Sequence, residues 1–277
     1  MGTATANRYL TDDQINEFWQ QGFLLLKGVL EADTAARAHQ AILDMVPRDF
    51  VFTDRHHMTQ GRFKPYQPDG SQSFFTPELL PLLCNERLYA ALADLFETPY
   101  LRVGDGSVGI SMKDGGPAGR FQNLHLDMRL PAQDQLSLDK LRFGVGMGGC
   151  YYLNDVEENG AGIHVVPGGH KTAEDTMMHN DGGTERYNRW KNIDDFPPSI
   201  EITGEAGDFV LMHHMMPHGA SRNKNPVPRV AQFTRFYRLS QEEAAQAAEA
   251  ADFSPAQLAA LTPLGRKLFR LDPWIGD

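Results

Sequence analysis

The stretch FGVGMGGCYYLNDVEENGAGIHVV, residues 143–166, decides the fold class of this chain. Its two apolar runs, at 143–153 and 162–166, have the composition of strands, and a segment rich in Asn and Gly separates them. The same alternation continues in both directions along the chain. It predicts further strands at 100–112, 120–127, 199–203, 208–213 and 229–238. Many short strands joined by turns indicate a β sandwich or barrel.

Helical patterns flank this β region on both sides. TDDQINEFWQQ has Thr11 as a candidate N-cap and ends at Gly22, and two more helical stretches follow, the second at 77–97. The Ala- and Glu-rich tail predicts helices divided at Pro255. We expect one domain over 1–277, made of a helical part at about 1–98, a β core at about 100–238 and C-terminal helices at about 240–270.

Composition excludes several classes of protein. Apolar residues make up 41% of the 277 residues and charged residues 22%, which is typical of a globular protein. The formal net charge is -10, and no Lys- and Arg-rich block could follow a phosphate backbone, so nucleic acid is not an expected partner. No signal peptide or membrane-spanning run is predicted. We expect a cytoplasmic protein that binds a small molecule and no membrane; the sequence does not indicate its oligomeric state.

The histidines predict a metal site. His125 and Asp127 are two positions apart in FQNLHLDMRL, so on a strand their side chains share one face. His218 follows far downstream in MHHMMPHGASRN. Two imidazoles and one carboxylate form the facial ligand set of non-haem iron(II) oxygenases. Such a set leaves positions on the metal for a chelating 2-oxo acid and for O₂.

An arginine is placed to hold the other end of that 2-oxo acid. Arg229 follows His218 by eleven positions (229 − 218 = 11). A guanidinium binds a carboxylate through two parallel hydrogen bonds, so it suits the distal carboxylate of 2-oxoglutarate. Arg222 is the less well placed alternative, because it lies in the turn directly after His218.

Four segments, in the right order, resemble the phytanoyl-CoA dioxygenase family over roughly residues 10–238. They are LTDDQINEFWQQGFLLLKGVL, the His-x-Asp pair, YYLNDVEENGAGIHVVPGGHK, and GEAGDFVLMHHMMPHGASRNKNPVPRV. The resemblance implies a mainly β protein with flanking helices, whose core is a double-stranded β-helix, the cupin-like jelly roll.

The resemblance also implies an activity and its residues. His125, Asp127 and His218 would bind Fe(II), and Arg229 would bind 2-oxoglutarate, with Gln122 and Ser221 as further polar contacts; Ser221 is displaced from the position usual in the family. The expected reaction oxidises a C–H bond of a small molecule, preferentially by hydroxylation, and releases succinate and CO₂. Related halogenases replace the carboxylate ligand by Ala or Gly, so Asp127 implies a hydroxylase and not a halogenase.

Two other functions stay open at this point. One is a metal-binding jelly roll without catalytic activity. The other is a zinc-dependent, cupin-like hydrolase, in which His213 or His214 would join His218; packing is the alternative role of these two residues. Candidate substrate contacts are Arg129, with a surface charge as the alternative, and Tyr187 and Trp190 in the predicted lid 171–199, where they could instead pack the loop.

Overall fold

A computed structural model describes residues 8–46, 75–104, 106–113, 118, 124–126, 137–143, 146–178, 198–247 and 253–276, together with the backbone of 58–59 and 62–63. The strands in these ranges are β1 Phe23–Leu26, β2 Met58–Thr59, β3 Arg62–Phe63, β4 Leu101–Val103, β5 Ser107–Ser111, β6 Met147–Tyr152, β7 Ile163–Val165, β8 Ile200–Ile202, β9 Phe209–Met212, β10 His218–Ala220 and β11 Arg229–Arg238.

These strands form two antiparallel sheets within the described ranges. The large sheet has the order β1-β9-β6-β11-β5-β3-β2, and β4 pairs with β11 outside that path. The small sheet has the order β10-β7-β8. The long strand β11 is the centre of the large sheet, because it pairs with β4, β5 and β6.

Alternate residues of the large sheet face two different cores, as the period of two in a strand requires. Tyr151, Phe209 and Phe236 pack with the helices in one buried cluster. Tyr152 and Val210 pack with residues of the small sheet in a second cluster between the two sheets. The side chains of this inner face therefore decide what lies between the sheets.

The described helices are α1 Asp12–Gln21, α2 Ala32–Asp44, α3 Leu80–Leu83, α4 Glu86–Phe96, α5 Leu138–Phe143, α6 Gly169–Met178, α7 Gln241–Ala244, α8 Pro255–Ala260 and α9 Pro263–Leu268. The predicted caps of the first helix are confirmed. Thr11 and Gln14 form a capping box, and Gly22 ends the helix with φ 82 in the left-handed region.

Several predicted boundaries differ from the structure. The helix predicted at 77–97 is divided, because Asn85 caps a new helix by accepting a hydrogen bond from the Leu88 backbone N–H. Pro255 stands at the start of α8, where a proline is favourable, so it begins a helix and does not interrupt one. The predicted lid contains helix α6 at its start, and its residues 179–197 lie outside the described ranges.

Candidate iron and 2-oxoglutarate site

His125 and His218 are brought together by a two-residue antiparallel bridge. The backbone N–H of each donates to the carbonyl of the other, at 2.9 and 3.1 Å, and their ring centroids are 4.4 Å apart. His218 Nδ1 lies 2.9 Å from the Met216 carbonyl oxygen. A carbonyl only accepts, so Nδ1 carries the proton and Nε2 has the lone pair that a metal needs.

The third predicted ligand, Asp127, lies outside the described residues, and its role stays a prediction. Within the described ranges, no three His, Cys, Asp or Glu side chains are grouped as a metal site. His213 and His214 line the same cavity as His218, so the alternative zinc set stays open. The structure brings together two of the predicted iron ligands, His125 and His218.

Arg229 is a buried guanidinium with unused hydrogen-bonding capacity. Its residue is 2% exposed, and Nη2 donates to Ser111 Oγ at 2.8 Å. Nε and Nη1 are buried without a hydrogen-bond partner. A buried charge with unpaired donors is costly, so this arrangement favours an anion at the two remaining nitrogens. Arg222, the alternative arginine, does not line the cavity formed by the described residues.

The two histidines and the arginine face the same cavity. Its volume is about 350 Å³, within the usual size of a small-molecule site. His125, His218 and Arg229 all line it, together with Arg235 and Tyr237 farther along β11. The structure thus combines a candidate metal site and a candidate anion site in one space between the sheets.

Ser111 is a site residue that the sequence analysis missed. It pairs directly with Arg229 across β5 and β11, and its own residue is buried. Asn223 fixes its backbone by donating from Nδ2 to the Ser111 carbonyl at 2.9 Å and to the Val227 carbonyl at 2.8 Å. Ser111 and Arg229 are 118 positions apart. Only the strand register joins them, and no local motif carries that signal.

Ser221 does not line the described part of the cavity, and its contact with 2-oxoglutarate stays a prediction. Its hydroxyl donates to the Gly162 carbonyl at 2.6 Å and lies 3.1 Å from Glu201 Oε1. The Glu201 carboxylate also accepts from the backbone N–H groups of Asn159 and Gly162. Ser221 therefore helps to hold the turn before β7.

The remaining predicted site residues cannot be placed. Gln122, Arg129, Tyr187 and Trp190 lie outside the described residues. Their roles as contacts of the co-substrate or the substrate stay predictions.

His213 and His214 are buried in the cavity wall, beside His170. Met215 N–H donates to His213 Nδ1 at 3.2 Å. Burial lowers the pKa of His213 well below its usual value, and burial with the Arg235 charge lowers the pKa of His214 to about 3. Burial likewise lowers the pKa of His170 to about 4. These three imidazoles are therefore neutral near pH 7, and those of His213 and His214 form a polar, uncharged part of the wall.

Comparison with known proteins agrees with this geometry. Residues 18–231 match the sequence profile described as phytanoyl-CoA dioxygenase (PhyH). The chain belongs to the phytanoyl-CoA dioxygenase family. The family predicted from the sequence motifs is confirmed, and the match includes His125, His218 and Arg229. No curated protein matches this family member in sequence.

Solved structures share its fold at low sequence identity. The epimerase SnoN from nogalamycin biosynthesis, in complex with Fe3+, alpha ketoglutarate and nogalamycin RO, is 16% identical, with a TM-score of 0.56 over 82% of this chain and 83% of SnoN. HygX from Streptomyces hygroscopicus, with nickel and 2-oxoglutarate bound, is 22% identical, with a TM-score of 0.55 over 83% and 87%. EctD from S. alaskensis, with 2-oxoglutarate and 5-hydroxyectoine, is 15% identical, with a TM-score of 0.56 over 85% and 79%.

These likenesses confirm the predicted jelly-roll fold. Among the residues that the structure describes, no helix is long and apolar enough to cross a membrane.

Proposed function

We propose that this protein is an Fe(II)- and 2-oxoglutarate-dependent dioxygenase that hydroxylates a C–H bond of a small molecule. The observation that carries the proposal is Arg229. Its guanidinium is buried in the same cavity as His125 and His218, and two of its nitrogens have no partner. A dicarboxylate would bind the metal with one end and the Arg229 guanidinium with the other. A zinc hydrolase would have no use for such an arginine.

The described residues fit the metal. His125 and His218 would hold the iron with Asp127, and the Met216 carbonyl keeps the His218 ring in one orientation and one tautomer. When bound, iron(II) with 2-oxoglutarate and O₂ supplies the oxidising power for C–H cleavage, with release of succinate and CO₂.

The same residues fit 2-oxoglutarate. The Arg229 guanidinium would donate to its distal carboxylate from a nitrogen that has no partner, Nε or Nη1, while Ser111 Oγ holds Nη2 at 2.8 Å. Burial strengthens this pair, because the local dielectric is lower than that of water. The anchor is also stiff, since Asn223 holds the strand on which Ser111 lies.

Hydroxylation is the specific reaction type that we propose. Asp127 supports it, because a halogenase of this type has no carboxylate there to hold the metal. The fold alone does not choose the reaction, since SnoN is described as an epimerase.

Oxygen labelling tests the reaction type. The iron-loaded protein is given 2-oxoglutarate, ¹⁸O₂ and a library of small molecules, and succinate and products are analysed by mass spectrometry. Hydroxylation puts one labelled oxygen atom into succinate and one into the product. Labelled succinate with a product of unchanged mass would establish an epimerase or isomerase instead. If wild-type protein forms no more labelled succinate than the Asp127→Ala variant does, the dioxygenase proposal is contradicted.

A further inference from the structure

The turn that precedes β7 holds two non-glycine residues in left-handed backbone. Asn159 has φ 58 and Ala161 has φ 68. Asparagine tolerates this conformation, but it is costly for alanine, because the Cβ atom approaches the following carbonyl oxygen. Ala161 is also buried. Residues strained in this way persist only where the surrounding structure holds them, and they cluster at functional sites, so the contacts that hold this turn point to its role.

Glu201 on β8 holds both ends of this turn with one carboxylate. Its Oε2 accepts from the Asn159 backbone N–H and its Oε1 from the Gly162 backbone N–H, each at 2.8 Å. Ser221 Oγ lies 3.1 Å from the same Oε1 and donates to the Gly162 carbonyl at 2.6 Å. Hydrogen bonds to an ionised acceptor are stronger than those to a neutral one. Glu201 therefore fixes the strained turn and contacts the segment after β10 at the same time.

The turn also lies against Asn223. Gly160 and Asn223 form an antiparallel bridge, and the backbone N–H of the next residue donates to the Asn159 carbonyl at 2.7 Å. Asn223 is two positions after Ser221. The segment that carries Asn223 is therefore held by Glu201 in two ways, through Ser221 and through the turn.

Asn223 connects this arrangement to the proposed anchor of the co-substrate. Its Nδ2 donates to the Ser111 carbonyl at 2.9 Å, and Ser111 Oγ accepts from Arg229 Nη2 at 2.8 Å. Hydrogen bonds and short backbone segments thus run from Glu201 to Arg229. Glu201 does not line the described part of the cavity, so its effect on a ligand there must pass through these residues.

We propose that Glu201 is a positioning residue for 2-oxoglutarate. It holds the turn at 159–162 in its strained shape, the turn holds Asn223, and Asn223 and Ser111 keep the Arg229 guanidinium in its orientation. This inference rests on the proposed function, because it takes Arg229 as the site of the distal carboxylate. The two described iron ligands are bridged by their own backbones and are not on this path, so Glu201 should affect the co-substrate and not the metal.

Glu201→Gln tests the proposal, because it keeps the size of the side chain and replaces one acceptor oxygen by a nitrogen that only donates. The two backbone N–H groups of the turn bind different oxygens, so one of them loses its partner. We expect the Kd of 2-oxoglutarate, from anaerobic titration of the iron-loaded protein, to rise about threefold to tenfold. The affinity for Fe(II), from competition with a chelator, should stay as in wild type.

Glu205→Gln is the matched control. It makes the same change of charge four positions further on (205 − 201 = 4), at an exposed residue outside the described cavity wall. Both affinities should be those of wild type. If Glu201→Gln does not fold, Glu201→Asp, which keeps the carboxylate but shortens its reach, serves in its place with the same expectation.

Ala161→Gly in the Glu201→Gln background distinguishes positioning from a general loss of structure. Glycine adopts left-handed backbone without the steric cost that alanine bears, so the turn then depends less on the carboxylate. The double variant should bind 2-oxoglutarate more tightly than Glu201→Gln alone.

A double-mutant cycle with Ser111→Ala measures the same connection without metal or 2-oxoglutarate. Substitutions at distant sites with no shared partners usually have additive effects on stability. The effects of Glu201→Gln and Ser111→Ala on the unfolding equilibrium constant in urea should depart from additivity by about threefold or more. The effects of Glu205→Gln and Ser111→Ala should be additive.

The outcomes separate this inference from the proposed function. Wild-type protein that binds Fe(II) but not 2-oxoglutarate overturns the proposed function, whereas a non-additive cycle would still establish that Glu201 positions Ser111. The inference alone is overturned if wild-type protein binds 2-oxoglutarate and Glu201→Gln binds it as tightly as Glu205→Gln does. It is also overturned if Glu201→Gln weakens Fe(II) and 2-oxoglutarate equally, if Ala161→Gly restores no affinity, or if the cycle is additive.

Discussion

Arg229 and Ser111 lie directly opposite each other on neighbouring antiparallel strands, and Arg229 Nη2 donates to Ser111 Oγ at 2.8 Å. This single bond leaves Nε and Nη1 of the same guanidinium unpaired toward the cavity. The Ser111 hydroxyl therefore orients the Arg229 guanidinium without using all of its hydrogen-bond donors. This arrangement is the one that the proposed binding of a carboxylate at Arg229 requires.

Ser111→Ala should weaken binding of 2-oxoglutarate and leave iron binding unchanged. It removes the bond that orients Arg229, and a hydrogen bond to a charged group contributes about 1.5–3 kcal/mol, which corresponds to a loss of roughly tenfold or more in affinity. Anaerobic titration of the iron-loaded protein with 2-oxoglutarate measures the effect. Ser240→Ala, at the exposed N-cap of α7 and outside the described cavity wall, is the control and should bind 2-oxoglutarate as wild type does. Equal affinities of the two variants would show that Ser111 does not position Arg229.

Asn223→Ala should destabilise the fold. Asn223 is buried and donates to the carbonyls of Ser111 and Val227, so its removal leaves one buried and one part-buried acceptor without those bonds. We expect a loss of about 2–4 kcal/mol in the free energy of unfolding, measured with urea. Asn225→Ala is the control, because Asn225 Nδ2 makes one long 3.4 Å contact with the Glu158 carbonyl. A loss no larger than that of the control would refute the role of Asn223.

Gly22→Ala should be more harmful than Gly28→Ala, although both glycines have positive φ, 82 and 56. An added Cβ at Gly22 would overlap the His170 ring and the Met216 side chain, whereas one at Gly28 would meet no heavy atom within 4 Å. Left-handed backbone alone costs an alanine roughly 1–2 kcal/mol, and the overlap at Gly22 should add about 1–3 kcal/mol. Urea unfolding of both variants checks the difference. Similar losses would mean that the α1 terminus shifts freely away from His170.

Stability should fall as the pH is lowered from about 6.5 toward 4. The folded-state pKa values of His170, about 4, and His214, about 3, lie below the usual value of 6.5. Over this range the unfolded chain therefore binds more protons at these histidines than the folded protein does. Each such group contributes a slope of up to about 1.4 kcal/mol per pH unit. Burial raises the pKa of Glu174 above its usual value of 4.5, so at this residue the folded protein binds more protons than the unfolded chain. Glu174 therefore reduces the loss of stability that the histidines cause.

Urea unfolding at several pH values between 7 and 4.5 measures this slope. His170→Gln should make it shallower, because it removes one group that must stay neutral in the folded state. An unchanged slope in that variant would show that His170 is not held neutral by burial.

The sequence predicted those parts of the fold and site that local patterns specify. Thr11 and Gly22 marked the ends of the first helix because caps are local, and His125, His218 and Arg229 stood in recognisable motifs. Ser111 carried no such signal, since it meets Arg229 only through the pairing of β5 with β11. Ser221 was assigned from the resemblance to the family, and the contact of its hydroxyl with the Gly162 carbonyl could not be predicted from that motif.

Polar composition was a poor guide to loops. GHKTAEDTMM has few apolar residues and looked like part of a lid, yet it forms α6. Its Ala173 and Met177, four positions apart, are buried on one side of the helix, and the buried Glu174 beside them contacts His213. The packing surface that stabilises this helix is visible only in the folded chain.

The most direct test of the central claim is anaerobic addition of Fe(II) and then 2-oxoglutarate to metal-free protein, followed by visible absorption. We expect a weak charge-transfer band that requires both components and that Arg238→Gln retains. Arg229→Gln should need at least tenfold more 2-oxoglutarate to produce it, because the paired guanidinium is lost. Absence of the band in wild-type protein, with zinc bound tightly in its place, would contradict the account and favour a hydrolase or a binding protein.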